Sequence, residues 1–528
     1  MANRHDPEGT RLPIKVDTAT NGEFAPRPLE HSTRAANALA FERAGDNARR
    51  AGLSRRGFLT STCGAASTLL AFNEAHAQAG RTGGFFDIPL AAAMEPAAAS
   101  QALASREFIF DIQGHHVNPV DRWRAPNMLT AMGLKFMPQS KCDYLDPDTE
   151  WGHVKCFTGQ AFAKEMFLDS DTDMAVLTFT PTSYEDMPLT DEEAAATREL
   201  VEAMDGNHRL LVHGRVVPNI DGDISRMAEM KEQWDVCAWK TYTQASVDGS
   251  EGWWLDDDKY GAPLIDMARR TGVKVICIHK GLPLPTAFMT KDNRLYGGCR
   301  DVGKAAKENP DIDFIIYHSG YDIKEKDGAF APGDHKIGVD SLIQSLIEND
   351  IPPNSNVYAE LGTTWRYLMR DPEEAAHVMG KLFRYVGEDR VVWGTDSIWY
   401  GSPQDQIQAF RTFQIAPEFR DQFGYPEITP ELRAKVFGLN AIKPYGISLS
   451  EAQEYLGGDR VARERVVCRM GGVAAVLGLG GGWRRVFVGV VGVGGGGCAR
   501  GGGGGAGGGG GVVGGGGGVW GVGRLGVG

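Results

Sequence analysis

The chain has 528 residues, a formal net charge of −13 at pH 7 and a hydrophobic fraction of 42%. Such an acidic chain lacks the basic face of a general nucleic-acid-binding protein, and it is equally unsuited to docking on anionic lipid. No apolar run before residue 471 reaches the roughly 18 residues that a membrane-spanning helix needs, so we expect no stable membrane insertion.

The first 77 residues have the three parts of an export leader in the right order. Residues 54–59 read Ser-Arg-Arg-Gly-Phe-Leu, a weakly apolar stretch covers 60–72, and Ala-His-Ala at 75–77 is a small-x-small cleavage site. We therefore predict a disordered twin-arginine signal region at 1–77, followed by a linker at 78–104. The predicted location is the periplasm or the secreted fraction, with a cytoplasmic protein as the alternative if the two arginines are a chance pair.

Between residues 105 and 446, short apolar runs alternate with helical stretches. Several runs are continuous, as expected for parallel strands that are buried on both faces. Eight such runs with helices between them predict an α/β fold, a closed (β/α)8 TIM barrel, with an open doubly wound sheet as the alternative. The predicted strands are Glu107–Asp111, Asp173–Phe179, Arg209–Arg215, Val236–Lys240, Val273–His279, Asp313–His318, Asn356–Glu360 and Val391–Asp396.

The predicted helices fall between these strands. A capping box at Thr190 opens a helix that runs to about Met204. The first gap, at about 114–171, is long and rich in Pro, Trp and Asp, and we predict a lid insertion over the barrel mouth. The other helical stretches are Ala262–Arg270, Ser341–Asn349, Pro372–Tyr385 and Gln404–Phe413.

The C-terminal part is of another kind. Residues 447–470 form an extension to the barrel, and 31 of the 58 residues at 471–528 are glycine. Glycine loses the most backbone entropy on folding, so this stretch cannot build a core. We predict a disordered low-complexity tail with the composition of a wrong reading frame.

Polar side chains fall at the ends of the predicted strands. The carboxyl ends of barrel strands ring one site, and imidazole with carboxylate is the usual ligand set of a divalent metal. A single histidine at a strand end often only bonds a neighbouring carbonyl group, but several in order around one rim favour a metal site. The residues concerned are Gln113, His115, His116, Lys240, His279, His318, Glu360 and Asp396.

These residues resemble the amidohydrolase-related (amidohydrolase 2) family, in the branch that includes aminocarboxymuconate-semialdehyde decarboxylase. The family pattern is Asp-x-His-x-His on the first strand, a His after strand five, His-x-Gly on strand six and Gly-x-Asp on strand eight. This chain has Asp-Ile-Gln-Gly-His at 111–115, His279, His-Ser-Gly at 318–320 and Gly-Thr-Asp at 394–396, and it closes with Gly-Leu-Asn-Ala at 438–441. The resemblance covers about 340 residues.

The resemblance implies a divalent metal, most readily zinc with manganese as an alternative, bound by Gln113, His115, His279 and Asp396. It also implies that Asp396 takes a proton from water activated by the metal, and that His318 orients or polarises the substrate. His116, Lys240 and Glu360 are further candidates to face the substrate. For Lys240, pairing with Glu360 or with a substrate carboxylate is the blander interpretation.

One position departs from the family pattern, because Gln113 stands where the family has its first histidine. Residues i and i+2 of a strand share a face, so Gln113 and His115 point the same way while His116 points elsewhere. Three outcomes stay open: a weaker metal site through Gln113, His116 rotating into the site, or no metal at all.

The resemblance implies a metal-dependent hydrolase that cleaves an amide, ester or lactone-like bond of a small-molecule substrate. A non-oxidative decarboxylase in the same fold is the second interpretation, and Arg122 and Arg124 in the lid are candidates to bind its carboxylate. A catalytically inactive ligand-binding barrel is the third. A homo-oligomer is compatible with all of them.

Overall fold

The computed structural model describes residues 9–21, 23–104, 107–119, 151–180, 182, 187–204, 208–244, 251–283, 293–454, 460–461 and 465. The predicted lid arginines, Arg122 and Arg124, and the tail at 471–528 lie outside these residues. Among the helices that are described, none is both long and apolar enough to cross a membrane.

Eight parallel strand positions close into a (β/α)8 barrel. One ladder runs in the order β5-β6-β7-β8-β9-β10 and a second in the order β2-β3-β4. Gly114 of β2 pairs with Ser397, which follows β10, and this pair joins the two ladders on one side of the barrel. The strands are β1 (Gly84–Phe86), β2 (Phe110–Gly114), β3 (Met174–Leu177), β4 (Leu210–Val212), β5 (Gly214–Arg215), β6 (Trp239–Tyr242), β7 (Val275–His279), β8 (Asp313–Tyr317), β9 (Val357–Glu360), β10 (Val391–Val392) and β11 (Phe413–Ile415).

The predicted strand Arg209–Arg215 occupies one position of the barrel but is divided into β4 and β5. The two ladders meet at this division. The backbone N–H of His213 donates to Leu177 of β3 at 3.1 Å, whereas that of Gly214 donates to Ala238, just before β6, at 2.9 Å. The chain thus changes its hydrogen-bonding partner strand within two residues. This change ends β4 and begins β5.

The predicted first strand, Glu107–Asp111, begins and ends too early, since the structure has β2 at Phe110–Gly114. Gly114 sustains the later end because it pairs with both Leu177 and Ser397. A Cβ atom at this position would lie 2.8 Å from the ring of Phe162. Glycine is therefore needed where the strand is squeezed between two neighbours.

The predicted helices are confirmed within one or two residues, and the one at 372–385 continues into a wider turn. Thr190 caps α6 through a reciprocal capping box with Glu193. The α-helices are α1 (His31–Arg50), α2 (Arg55–Leu59), α3 (Thr62–Gln78), α4 (Pro96–Leu103), α5 (Gly159–Ala163), α6 (Asp191–Ala203), α7 (Met227–Trp234), α8 (Gly261–Thr271), α9 (Val302–Glu308), α10 (Val339–Glu348), α11 (Thr364–Leu368), α12 (Pro372–Lys381), α13 (Gln404–Thr412), α14 (Pro417–Phe423), α15 (Pro430–Ala434), α16 (Asn440–Ile442) and α17 (Leu449–Glu454).

Short 3₁₀ and π turns complete the fold. Turns of 3₁₀ type cover Leu90–Ala93, Gly152–Phe157, Ile224–Arg226, Asn293–Gly297 and His318–Gly320. Turns of π type cover Lys164–Leu168, Leu382–Gly387 and Lys435–Leu439. The described end of the predicted lid, from residue 151 onward, is therefore helical.

The leader differs from the sequence prediction, because its described residues are packed rather than disordered. Alanines recur every four residues along α1, at 36, 40, 44 and 48, and all four are buried. Leu69 and Phe72 of α3 are buried in the same hydrophobic cluster. Small side chains along one face let two helices approach closely, so the apolar stretch that predicts an export signal also packs as a core helix.

The predicted linker at 78–104 is also part of the fold. Its strand β1 pairs antiparallel with β11, with Gly84 opposite Ile415 and Phe86 opposite Phe413. Phe86 and Leu103 are buried. The strands of this ladder have only three residues each, which is too short for an alternation of apolar and polar residues to be recognised in the sequence.

The barrel interior is filled by one buried cluster that draws on six strand positions and on the segment after α16. His213, at the break between β4 and β5, belongs to its polar part. Its Nδ1 lies 2.9 Å from Thr178 Oγ1, its Nε2 lies 2.9 Å from Tyr445 Oη, and Cys277 Sγ is 3.7 Å away. The predicted closing segment around Tyr445 is thus tied to the barrel core.

Candidate active site

Asp396, four residues after β10, contacts polar side chains from β2 and from the segment that follows β9. Its Oδ1 accepts from Gln113 Nε2 at 3.0 Å and lies 3.1 Å from His115 Nε2, and its Oδ2 accepts from Thr363 Oγ1 at 2.5 Å. Gln113 and His115 reach the same oxygen, so they share a face as predicted. Burial alone would raise the pKa of Asp396, but the hydrogen bonds from His115 and Thr363, together with the charges of the nearby histidines, outweigh burial and lower the pKa below its usual value of 3.8.

His279 ends β7 and His318 follows β8, and their rings meet edge to face. His318 Nε2 lies 3.1 Å from His279 Nδ1, and His318 Nδ1 donates to the carbonyl of Gly362 at 2.7 Å. Burial lowers the pKa of His318 to about 4 and that of His279 well below 6.5. Both imidazoles are therefore neutral near pH 7, the form that binds metals.

Four residues of this rim have left-handed backbone conformations that side chains rarely adopt. The φ angles are 65° at His318, 54° at Ser319, 54° at Thr363 and 60° at Asp396. Such conformations persist only where the surroundings hold them, and they concentrate at functional sites. Here Thr364 Oγ1 donates to the carbonyl of His318 at 2.9 Å.

Glu360, at the end of β9, holds the backbone of this rim. Its Oε2 accepts from the backbone N–H of His318 at 3.0 Å and its Oε1 from that of Gly362. Burial raises the pKa of Glu360 to about 8. A Cβ atom at Gly394 would lie 1.7 Å from Glu360 Oε1, so glycine is needed there. These contacts give Glu360 a positioning role.

Lys240 of β6 is buried and its ammonium group has no hydrogen-bond partner among the described residues. Its Nζ lies 3.5 Å from the centre of the Tyr317 ring and 4.8 Å from that of Tyr242. Burial lowers the pKa of Lys240 to about 8. No ion pair between Lys240 and Glu360 forms in the described part of the chain, whereas pairing of Lys240 with a substrate carboxylate stays a prediction.

His116 points away from the rim, as its odd position in the strand predicts. Its Nε2 lies 2.9 Å from Thr197 Oγ1 on α6, so the outcome in which it rotates into the metal site is not what the structure shows. His115 instead stacks on Trp399 at 5.3 Å. His115, His116 and Trp399 line a cavity of about 10 Å³, room for about one water molecule.

Sequence reasoning missed two residues that lie at the centre of the site. Asn21 Nδ2 donates to Asp396 Oδ2 at 2.7 Å and to Glu23 Oε2 at 2.6 Å, and Tyr242 Oη donates to Glu23 Oε1 at 3.4 Å. Burial and the nearby Asp396 raise the pKa of Glu23 to about 8. No motif marks these residues, which lie in the predicted leader.

The structure splits the predicted metal ligands into two groups. Gln113 and His115 lie with Asp396, whereas His279 lies with His318 and Glu23, whose ligand atoms are all within 4.8 Å of one another. Two atoms that could ligate a metal, Gln113 Oε1 and His279 Nε2, are buried without a hydrogen-bond partner among the described residues. Buried donors left open in this way, one in each group, are consistent with a bound cation.

Comparison with known proteins matches residues 115–447 to the family model described as Amidohydrolase. Among curated proteins none matches this chain.

Three solved structures have low similarity. The 2,6-dihydroxybenzoate decarboxylase from Rhizobium has 12% identity and a TM-score of 0.36, over 64% of this chain and 99% of that chain. An uncharacterized TIM-barrel protein from Bordetella bronchiseptica has 13% identity and a TM-score of 0.39, over 65% and 99%. An amidohydrolase from Mycobacterium avium subsp. paratuberculosis K-10 has 11% identity and a TM-score of 0.36, over 66% and 100%.

Proposed function

The chain belongs to the amidohydrolase family, and from this premise we propose that it is a metal-dependent hydrolase of a small-molecule amide, ester or lactone-like bond. The observation that carries the proposal is the protonation and the hydrogen bonding of the predicted metal ligands. Asp396 is held as a carboxylate and His279 as a neutral imidazole, while Gln113 Oε1 and His279 Nε2 are buried and open. These are the protonation states and free lone pairs that a divalent cation requires.

The residues that would hold the metal are Gln113, His115, His279 and Asp396. A divalent cation supplies Lewis acidity there, polarising a carbonyl group and lowering the pKa of water. Gln113 offers a neutral amide oxygen where the family has imidazole, so we expect weaker metal binding than in members with the histidine.

The other roles follow from the hydrogen bonds of this chain. Asp396, an ionised carboxylate, is placed to accept a proton. His318 commits its Nδ1–H to Gly362, so its Nε2 accepts from His279 Nδ1 at 3.1 Å, and this hydrogen bond leaves the Nε2 lone pair of His279 open for the metal. Trp399 stacks on His115 and fixes the plane of that ring.

Elemental analysis tests the metal. The full chain from metal-replete cells should carry close to one equivalent of zinc or manganese. His279→Ala should lose it, and His208→Ala, whose side chain is 84% exposed, should retain it. Absence of metal from the unsubstituted protein would instead support the inactive binding barrel. A panel of amides, esters and lactones then tests hydrolysis.

Decarboxylation is the second candidate, and Lys240 favours it. A buried ammonium group without a hydrogen-bonded carboxylate is costly, and a substrate carboxylate is the partner that would offset the cost. If this is the activity, aryl carboxylates should release carbon dioxide, and Lys240→Met should raise KM for them by about tenfold, the effect of losing about 1.4 kcal/mol of binding. Hydrolysis without carbon dioxide release would contradict it.

Export through the twin-arginine pathway is part of the proposal. The arginine pair at 55–56 supports it, as does Cys156, which is disulfide-bonded. Disulfides form in oxidising compartments such as the periplasm. Cell fractionation of the chain and of Arg55→Lys/Arg56→Lys tests this, because the variant should accumulate in the cytoplasm.

A further inference from the structure

We propose that residues 12–21 and 23–29, called the strap below, are an autoinhibitory element that closes the active site of the precursor chain. The inference rests on the proposed function only for where substrate binds. It assigns to the leader a second role, that of an intramolecular occupant of the site.

The strap is anchored to the barrel on the segment that follows β9. Arg366 Nη2 of α11 lies 2.6 Å from Asp17 Oδ1, and Arg366 Nη1 donates to the carbonyl of Lys15. Tyr367 Oη donates to the carbonyl of Ala19 at 3.0 Å. The Arg366 side chain is almost fully buried. An ion pair buried in this way depends on the strap staying in place.

A second anchor lies on the far side of the inserted residues. Arg27 Nη2 is 2.7 Å from Glu374 Oε2 on α12, and Glu374 is fully buried. Phe24 packs edge to face on Tyr367 at 5.2 Å. The two ion pairs thus hold the strap at both ends, with the stretch between them lying over the rim.

The stretch between the anchors enters the site. Glu23 N–H donates to Asn21 Oδ1 at 3.0 Å, which directs the amino group of Asn21 toward Asp396 and Glu23. Asn21 is 1% exposed. The Asn21 amide is thus fixed by the backbone and lies between the carboxyl groups of Asp396 and Glu23, and Tyr242 also bonds Glu23. Such a hydrogen-bond network orders this part of the strap within the site.

The consequence is a closed site. With the strap in this position, Asp396 is 1% exposed, and His279 and His318 are fully buried. Substrate therefore cannot reach Asp396 or His318 while the strap is in place.

The route to release is on the same leader. The predicted cleavage point falls at the end of α3, where residues 77–80 are exposed. A cut there would separate the strap, α1, α2 and most of α3 from the barrel. Export and opening of the site would then be one event.

The test is the reactivity of His279 and His318 with diethyl pyrocarbonate, which modifies accessible imidazole nitrogens. Full-length chain is first treated with a chelator, so that metal does not protect the rings, and modification is located by mass spectrometry. Asp17→Ala/Arg27→Ala removes both anchors without touching the site, and Asn21→Ala removes the inserted amide. Asn73→Ala, an asparagine of α3 bonded to the Phe86 backbone, is the matched control.

We expect the two site histidines to react at least about tenfold faster in both strap variants than in the unsubstituted chain and the control, a ratio that corresponds to about 1.4 kcal/mol. His208 should react equally in all four proteins, and circular dichroism should show them folded. Equal rates at His279 and His318 in folded variants would overturn the strap. Metal content measured before chelation reports separately on the proposed function, which fails if no protein carries metal even when the strap variants react faster.

Discussion

Acidification should destabilise the protein through His213, the buried histidine at the break between β4 and β5. Burial lowers the pKa of His213 well below 6.5, and the charge of Lys240 lowers it further. Its two ring nitrogens are occupied by Thr178 and Tyr445. The folded chain therefore keeps this imidazole neutral at pH values where the unfolded chain protonates it.

Linkage gives the sign and the size of this effect. Since the folded pKa is depressed, the unfolded state binds more protons below pH 6.5, so the stability contribution is present above that pH and is lost as the pH falls. Between pH 7 and pH 5, an unfolded pKa of about 6.5 gives a loss of about 2 kcal/mol in the free energy of unfolding for this one group.

Urea denaturation at pH 7, 6 and 5 measures this loss. Other buried groups titrate as well, so the informative quantity is a difference between proteins. His213→Asn should be less stable at pH 7, because hydrogen bonds to Thr178 and Tyr445 are lost, but its fall from pH 7 to pH 5 should be smaller by about 2 kcal/mol. His208→Asn, with an exposed side chain, should fall as the unsubstituted protein does. An unchanged fall in His213→Asn would refute the reasoning.

Three further predictions concern stability near pH 7. Thr190→Ala breaks the capping box of α6 and should lower the free energy of unfolding by about 1 kcal/mol in urea titrations. Phe72→Ala should lower it by about 3 to 5 kcal/mol because the ring is buried, and a thermal melt that does not change would show that the leader is not docked. Gly394→Ala places a Cβ 1.7 Å from Glu360 and should cost about 1 to 3 kcal/mol. Gly328→Ala, with open space around the position, should be close to neutral by calorimetry.

The rim of the barrel was predictable because it follows from two local rules. Parallel strands place their carboxyl ends at one edge, so His279, His318 and Asp396 had to lie near one another. Residues two apart on a strand share a face, and Gln113 and His115 indeed reach the same oxygen of Asp396. Neither rule needs knowledge of the rest of the chain.

The strap was not predictable, since its contacts have no local signature. Asn21 and Asp396 are 375 residues apart, and no spacing or period in the sequence connects them. The packing of the leader was not predictable for a different reason. An apolar helix such as α3 fits an export motif and a packed core position equally well, and its packing against the buried alanines of α1 becomes visible only in the folded chain.

The ladder between β1 and β11 determines where the new N-terminus would lie after a cut at residues 77–80. Gly84 is paired with Ile415 only four residues beyond the end of that stretch. The new N-terminus would therefore be held at the barrel by this strand pairing. Loss of the leader would then resemble the dissociation of a bound ligand more than the unfolding of a domain.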